Sequence, residues 1–376
     1  MNRVVITATE CLTPLGNSLA ETWQGLLTGH TAIAPVSRFD CSRYHAQVAA
    51  QIPDLRGDGD ESLCSVLLER LLAGFASVPE DARLLLATTK GPIDLLERQQ
   101  RDGQQLDHRV LPEALLTEVQ TRFSLTTPGV NINAACASST IALARAGAMI
   151  AAGRAECVLI VCLDLVSEFV LSGFSALQGL SPRPSRPFDA QRDGLSLGEG
   201  ASALLLMSEE RARNEERPVL GTLRGWGVAN DANHITAPAR DGAGLIAAVR
   251  QALQTAQMST KKVAAISAHG TGTVYNDAME LTAFRTLFDN RPLPLNSIKG
   301  AIGHTLGAAG GIEAVLALEA LGQKLLPPTT GLEQPEETPQ SLSAQVQAIE
   351  GDVMLSTNSG FGGINAALLF ATGGPT

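Results

Sequence analysis

The stretch NINAACASSTIALARAGAMIAAG, Asn131–Gly153, decides how the rest of the chain is read. A short run ends in small residues, a cysteine follows at position 136, and an Ala-rich segment runs from Ala137 to about Ala152 before Gly153. Alanine is the best helix former, and a glycine just past the last helical residue is a common stop. The pattern predicts a strand over Val130–Ala134, a turn holding Cys136, and a long helix. A thiol in that turn faces the positive end of the helix dipole, which favours the thiolate. Its neighbours Ala134, Ala135, Ala137 and Ser138 leave the sulfur reachable. The same turn could aim the Cys136 N–H at a bound carbonyl oxygen, as half of an oxyanion hole. Taken alone, Cys136 reads more readily as a buried packing cysteine.

Working outward, strand-like and helical runs alternate. Strands are expected at Arg3–Thr7, Arg83–Ala87, Cys157–Cys162, Ala201–Met207, Val263–Ala268, Leu295–Lys299, Val353–Thr357 and Asn365–Phe370. Helices are expected at Ser18–Leu27, from Pro92 to about Arg98, at Ala278–Phe288 and at Leu306–Leu321. Continuously apolar strands imply sheets covered by helices on both faces. The alternation repeats in the second half of the chain, which predicts a duplicated α/β fold. The Glu/Arg-rich Ser208–Pro218 segment is the best candidate boundary, giving halves 1–208 and 209–376.

The chain has 376 residues, with 44% hydrophobic and 18% charged, so it carries enough apolar surface for a large core. Its formal net charge is −10, which argues against nucleic-acid binding, where clustered Lys and Arg are needed. No stretch approaches the ~18 uninterrupted apolar residues of a membrane span. The opening residues read as a strand and not as a secretion signal, so a cytoplasmic location is expected. Six cysteines without a C-x-x-C pair argue against a disulfide framework or a structural zinc site.

Three further segments carry candidate chemistry. In AISAHGTGTVYNDAMELTAF, Ala265–Phe284, a buried strand runs into His269 and a loop offering the hydroxyls of Thr271 and Thr273. Active-site loops of open α/β sheets sit at such strand ends. Asp277 and Glu280 have capping-box spacing and read as structural. In SIKGAIGHTLGAAGGIEAVLALEAL, Ser297–Leu321, a strand ends at Lys299, a glycine turn presents His304, and Glu313 is a lone acid in an apolar helix. A buried acid requires a cation or hydrogen-bond donors, and Lys299 is its nearest candidate. In STNSGFGGINAALLF, Ser356–Phe370, glycines surround Phe361 between two strands; it reads as a packing residue or as a gate over a pocket.

One Cys and two His at the ends of buried strands, together with the motifs RPFDAQRDGLSLGEGASALLL, HGTGT with NDAME, KGAIGHTLGAAGGIEA and GFGGINA, resemble the β-ketoacyl-acyl carrier protein synthases, condensing enzymes of the thiolase fold. The resemblance runs from Val4 to about Phe370. It implies a five-layered αβαβα architecture and the Cys-His-His set of the elongating class, where thiolases use a second Cys and initiating synthases use Asn. By the same resemblance, Cys136 accepts the acyl group. Its N–H and that of Phe361 form the oxyanion hole, and His269 and His304 hold the malonyl thioester. Lys299 and Glu313 form a buried pair, Thr271 and Thr273 bind pantetheine, and Phe361 is the gate. No metal or redox cofactor is implied, since substrates arrive on the phosphopantetheine of an acyl carrier protein. The partner chain is implied to be a second copy or another synthase-like subunit. A non-catalytic chain-length-factor subunit is the alternative, and the intact Cys136 speaks against it. Two departures stand out: one residue is missing before Gly360 in the gate loop, and the chain is short around residues 55–80 and 171–185, which shape the acyl pocket in the family. The ATTKGPIDLLE stretch, Ala87–Glu97, resembles synthases of type II polyketide and aryl-polyene clusters.

Overall fold

A computed structural model describes residues 2–57 and 60–373. Eleven strands form the principal sheet: β1 (Val4–Leu12), β2 (Arg83–Ala87), β3 (Val130–Asn131), β4 (Cys157–Asp164), β5 (Gly200–Ser208), β6 (Gly221–Asn230), β7 (Ala265–Ser267), β8 (Pro294–Asn296), β9 (Ser341–Leu342), β10 (Val353–Gly360) and β11 (Ile364–Thr372). Their order is β9-β8-β7-β10-β11-β6-β1-β5-β4-β2-β3. The two halves repeat one topology. In the first, β2 is parallel to β3 and β4, and β4, β5 and β1 then pair antiparallel. In the second, β7 is parallel to β8 and β10, and β10, β11 and β6 then pair antiparallel. Only two residue pairs, Val5–Thr222 and Ile6–Gly221, join the halves between β1 and β6.

Alternation along the strands builds the layers. Leu84, Leu86, Leu159 and Val161 face an outer core with Leu67 and Leu71 of α2 (Leu63–Leu72) and Leu115 and Val119 of α4 (Pro112–Arg122). Their neighbours Leu85, Ala87, Val158 and Ile160 face inward, into a core shared with Leu368 and Phe370 of β11. That central core holds α5 (Ser138–Ala151) and α11 (Ala309–Gln323), which pack on each other and touch strands of both halves. On the far side, Leu355 and Leu369 meet α8 (Ala243–Ala256) and α9 (Val274–Phe288). With the two halves of the sheet as separate layers, the order is helix, sheet, helix, sheet, helix: five layers, as the resemblance implies.

The differences from the sequence reading are local. The strand expected over Val130–Ala134 is only Val130–Asn131. The strand expected over Leu295–Lys299 stops at Asn296, and Lys299 opens a short helix, α10 (Lys299–Ile302). The Ser297 hydroxyl accepts from Lys299 N and donates to Gly270 O, which turns the chain out of the sheet there. The helices α2, α6 (Glu168–Ala176) and α8 were not read from the sequence. Among the described residues no helix is long and apolar enough to cross a membrane.

Candidate active site

Cys136 sits where β3 gives way to α5. Ala135 takes a left-handed conformation, φ 50°, which sharpens the turn. The Ser138 hydroxyl ties it by donating to Ala135 O at 2.6 Å and accepting from Ala134 N at 2.9 Å. The thiol is buried, and burial pushes it up to about 11, the Lys299 charge only partly opposing this. The expectation of a lowered thiol is therefore corrected for the resting site: desolvation of the anion outweighs the nearby positive charge. All six cysteines are free.

His269 lies two residues past the end of β7. Two carboxylates fold its loop: Glu280 accepts from His269 N and Gly270 N at 2.8 and 2.6 Å, and Asp277 accepts from Thr271 N and Gly272 N at 3.0 and 3.1 Å. The capping reading of these acids needs correction. Thr273 is the N-cap of α9, and both acids point back into the loop. Gly270 has φ 35°, and a Cβ there would lie 2.5 Å from the Ser297 Cβ, so no larger residue fits. Burial, followed by the Asp277 charge, pushes the Glu280 carboxyl up to about 8.

Behind the histidine lies a buried ion pair. Lys299 Nζ donates to Glu313 Oε1 and to His269 O, each at 2.5 Å. Asn358 completes it, donating to Glu313 Oε2 at 2.7 Å and accepting from the Thr140 hydroxyl. Those two bonds orient the Asn358 amide, so its Nδ2 is the atom facing His269 Nδ1 at 3.3 Å. His269 Nδ1 is then the acceptor, and the ring proton sits on Nε2. His304, beyond α10 and Gly303, meets the His269 ring edge-on with centroids 5.1 Å apart. Neither ring nitrogen of His304 has a protein partner. Burial, reinforced by Lys299, holds both imidazoles well below their ordinary range, so both are neutral at pH 7.

One cavity of about 380 Å³ is lined by Cys136, His269, His304, Thr271, Thr273 and Phe361. Six of the eight predicted site residues thus face one space, and Lys299 and Glu313 stand behind it. The Thr271 and Thr273 hydroxyls lie 2.9 Å apart. Phe361 closes the β10–β11 hairpin and stacks on Phe174 of α6 at 5.7 Å. A Cβ on Gly360 would lie 3.2 Å from Cys136 N, so this glycine keeps the hairpin close to the Cys136 backbone. Sequence reasoning missed Asn358 and Phe174. Asn358 sits in an ordinary-looking strand, and only its burial would have flagged it. A second cavity, of about 470 Å³ among α2 and α4, holds none of these residues.

A neutral-imidazole pair facing a thiol suits acyl transfer followed by stabilisation of an enolate oxygen. Residues 1–62 and 86–212 match the family described as beta-ketoacyl synthase, N-terminal domain, and residues 220–333 match its C-terminal domain. The chain belongs to the β-ketoacyl synthase family. This β-ketoacyl synthase is 31% identical to 3-oxoacyl-[acyl-carrier-protein] synthase 2 of Synechocystis sp., over 98% of this chain and 97% of that one. It is similar to the ishigamide ketosynthase/chain length factor, with a TM-score of 0.89, 26% identity, 99% of this chain and 100% of that one covered. It is also similar to a beta-ketoacyl synthase from Burkholderia phymatum, with a TM-score of 0.86, 28% identity, and 99% and 100% covered.

Proposed function

We propose that this synthase elongates a fatty-acid or polyketide chain by decarboxylative Claisen condensation between malonyl-acyl carrier protein and an acyl group held on Cys136. The observation that carries the reading is the convergence of Cys136, His269 and His304 on one cavity, with both imidazoles neutral. In the first half-reaction the Cys136 sulfur attacks the acyl thioester. Its proton passes to the departing phosphopantetheine thiol, leaving an acyl-Cys136 thioester. Burial favours the protonated thiol at rest, so the sulfur gives up its proton in the course of acyl transfer. The N–H groups of Cys136 and Phe361 receive the oxyanion.

In the second half-reaction the malonyl carboxylate leaves as CO₂ and its electron pair forms an enolate. A neutral imidazole donates from Nε2 without carrying a charge of its own, and the orientation of Asn358 leaves the proton of His269 on that atom. His304 is the second donor. The enolate carbon attacks the acyl-Cys136 carbonyl, and collapse of the tetrahedral oxyanion expels the Cys136 thiolate and releases the 3-oxoacyl product. Lys299 and Glu313 set the field behind His269, while Thr271 and Thr273 hold the pantetheine arm. No cofactor of the protein's own takes part. The partners are an acyl carrier protein and a second synthase-like subunit, identical or not, and the setting is the cytoplasm. The test is conversion of acyl- and malonyl-carrier protein into a 3-oxoacyl product two carbons longer. The wild type is expected to make it and Cys136→Ala to make none; product from Cys136→Ala, or none from wild type with any acyl donor, overturns the reading.

A further inference from the structure

Each site histidine must be held in place, and the two are held differently. The His269 ring meets Asn358 through Nδ1. The His304 ring has no hydrogen-bond partner, so only its backbone and its packing aim it. That backbone is anchored before and at the residue by the 196–198 segment, where His304 N donates to Ser196 O at 2.7 Å and Gly198 N to His304 O at 3.0 Å. After the residue the chain makes an unfavourable turn: Leu306 is left-handed at φ 52°, a conformation that persists in a non-glycine residue only where its surroundings enforce it.

The enforcing group is Asp164, at the end of β4, buried at 1% exposure. Its Oδ2 accepts from Gly307 N at 2.7 Å and from the Thr89 hydroxyl at 2.9 Å. Its Oδ1 accepts from the Thr88 hydroxyl at 2.9 Å and Thr89 N at 3.1 Å. A Cβ on Gly307 would lie 2.8 Å from Asp164 Oδ2, so the turn is pressed directly onto the carboxylate. The Thr88–Thr89 segment in turn meets the chain leading into Cys136, with Thr88 N donating to the Asn131 side chain and the Asn133 side chain donating to Thr89 O. One carboxylate thus ties the turn after His304 to the approach to Cys136. We infer that Asp164 is a positioning residue: it sets where His304 stands relative to the thiol, and so serves the decarboxylation half-reaction more than acyl transfer.

This inference rests on the proposed condensation, and its test separates the two. Asp164→Asn keeps the shape but replaces one acceptor oxygen by a donor that faces other donors. Thr89→Val is the milder variant, removing one hydroxyl from the carboxylate. Acyl transfer to Cys136 and CO₂ release from malonyl-carrier protein are measured separately, with circular dichroism as the check on folding. For Asp164→Asn, CO₂ release is expected to fall at least tenfold with acyl transfer within threefold of wild type; Thr89→Val is expected to show the same imbalance at smaller size, and it decides the matter if Asp164→Asn fails to fold. Equal loss of both steps, or loss of neither, overturns the inference. Failure of the wild type to carry out either step overturns the proposed function instead.

Discussion

At the level of single residues, the site runs on uncharged groups made so by burial. His269 and His304 stay neutral because the imidazolium would be desolvated beside Lys299. This has a consequence for stability. Below about pH 6.5 an unfolded histidine binds a proton, while the native pair does not. The unfolded state then holds more protons, so stability falls as pH drops through that window. The slope is about 1.4 kcal/mol per pH unit for each histidine. Thermal melts between pH 7 and 5.5 are expected to be steeper for wild type than for His269→Gln or His304→Gln; equal slopes would contradict neutral burial. Cys136, His269 and His304 were legible in the sequence because each lies among small residues in a turn after an apolar run, although His304 follows the short helix α10 and not a strand end. Asn358 and Asp164 were not, because their importance lies in partners 45 and 143 residues away, Glu313 and Gly307.

Among the elements, the short α10 and the long α11 meet through the Lys299–Glu313 pair, each side chain 1% exposed. Removing one member of such a pair strands a charge in the interior and costs about 3–5 kcal/mol. Lys299→Ala is expected to lose that much in urea unfolding, and the double variant Lys299→Met/Glu313→Gln to recover most of it. A single-variant loss below about 1 kcal/mol would show that the charge is not truly isolated. The pairing itself was readable, since a lone acid in an apolar helix demands a partner. The strand-to-helix switch at Lys299 was not, because it depends on the Ser297 hydroxyl reaching Gly270 across the fold. The helices α2 and α8 escaped for a related reason: they cover the outer faces of the sheets, and their role is defined by strands far away in the chain.

For the whole molecule, the duplicated rhythm of strands and helices carried the architecture. What it could not convey is how the halves depend on one another. In the principal sheet the halves meet through two residue pairs between β1 and β6, yet the central layer takes α5 from the first half and α11 from the second. A fragment of residues 1–208 would expose the inward face of its sheet, including Val158, Ile160 and Leu204. Expressed alone it is expected to aggregate, and co-expression with residues 209–376 to restore a soluble complex; a soluble, cooperatively melting 1–208 fragment would contradict a shared core. The same layer brings Cys136 at the head of α5 opposite the two histidines of the second half, so the proposed chemistry needs both halves. The most direct test of that chemistry is a chase experiment followed by peptide mass spectrometry. With acyl-carrier protein alone, the acyl mass is expected on the peptide bearing Cys136, and added malonyl-carrier protein is expected to discharge it into 3-oxoacyl product. An acyl group on another residue, or one on Cys136 that malonyl-carrier protein never discharges, would contradict the account.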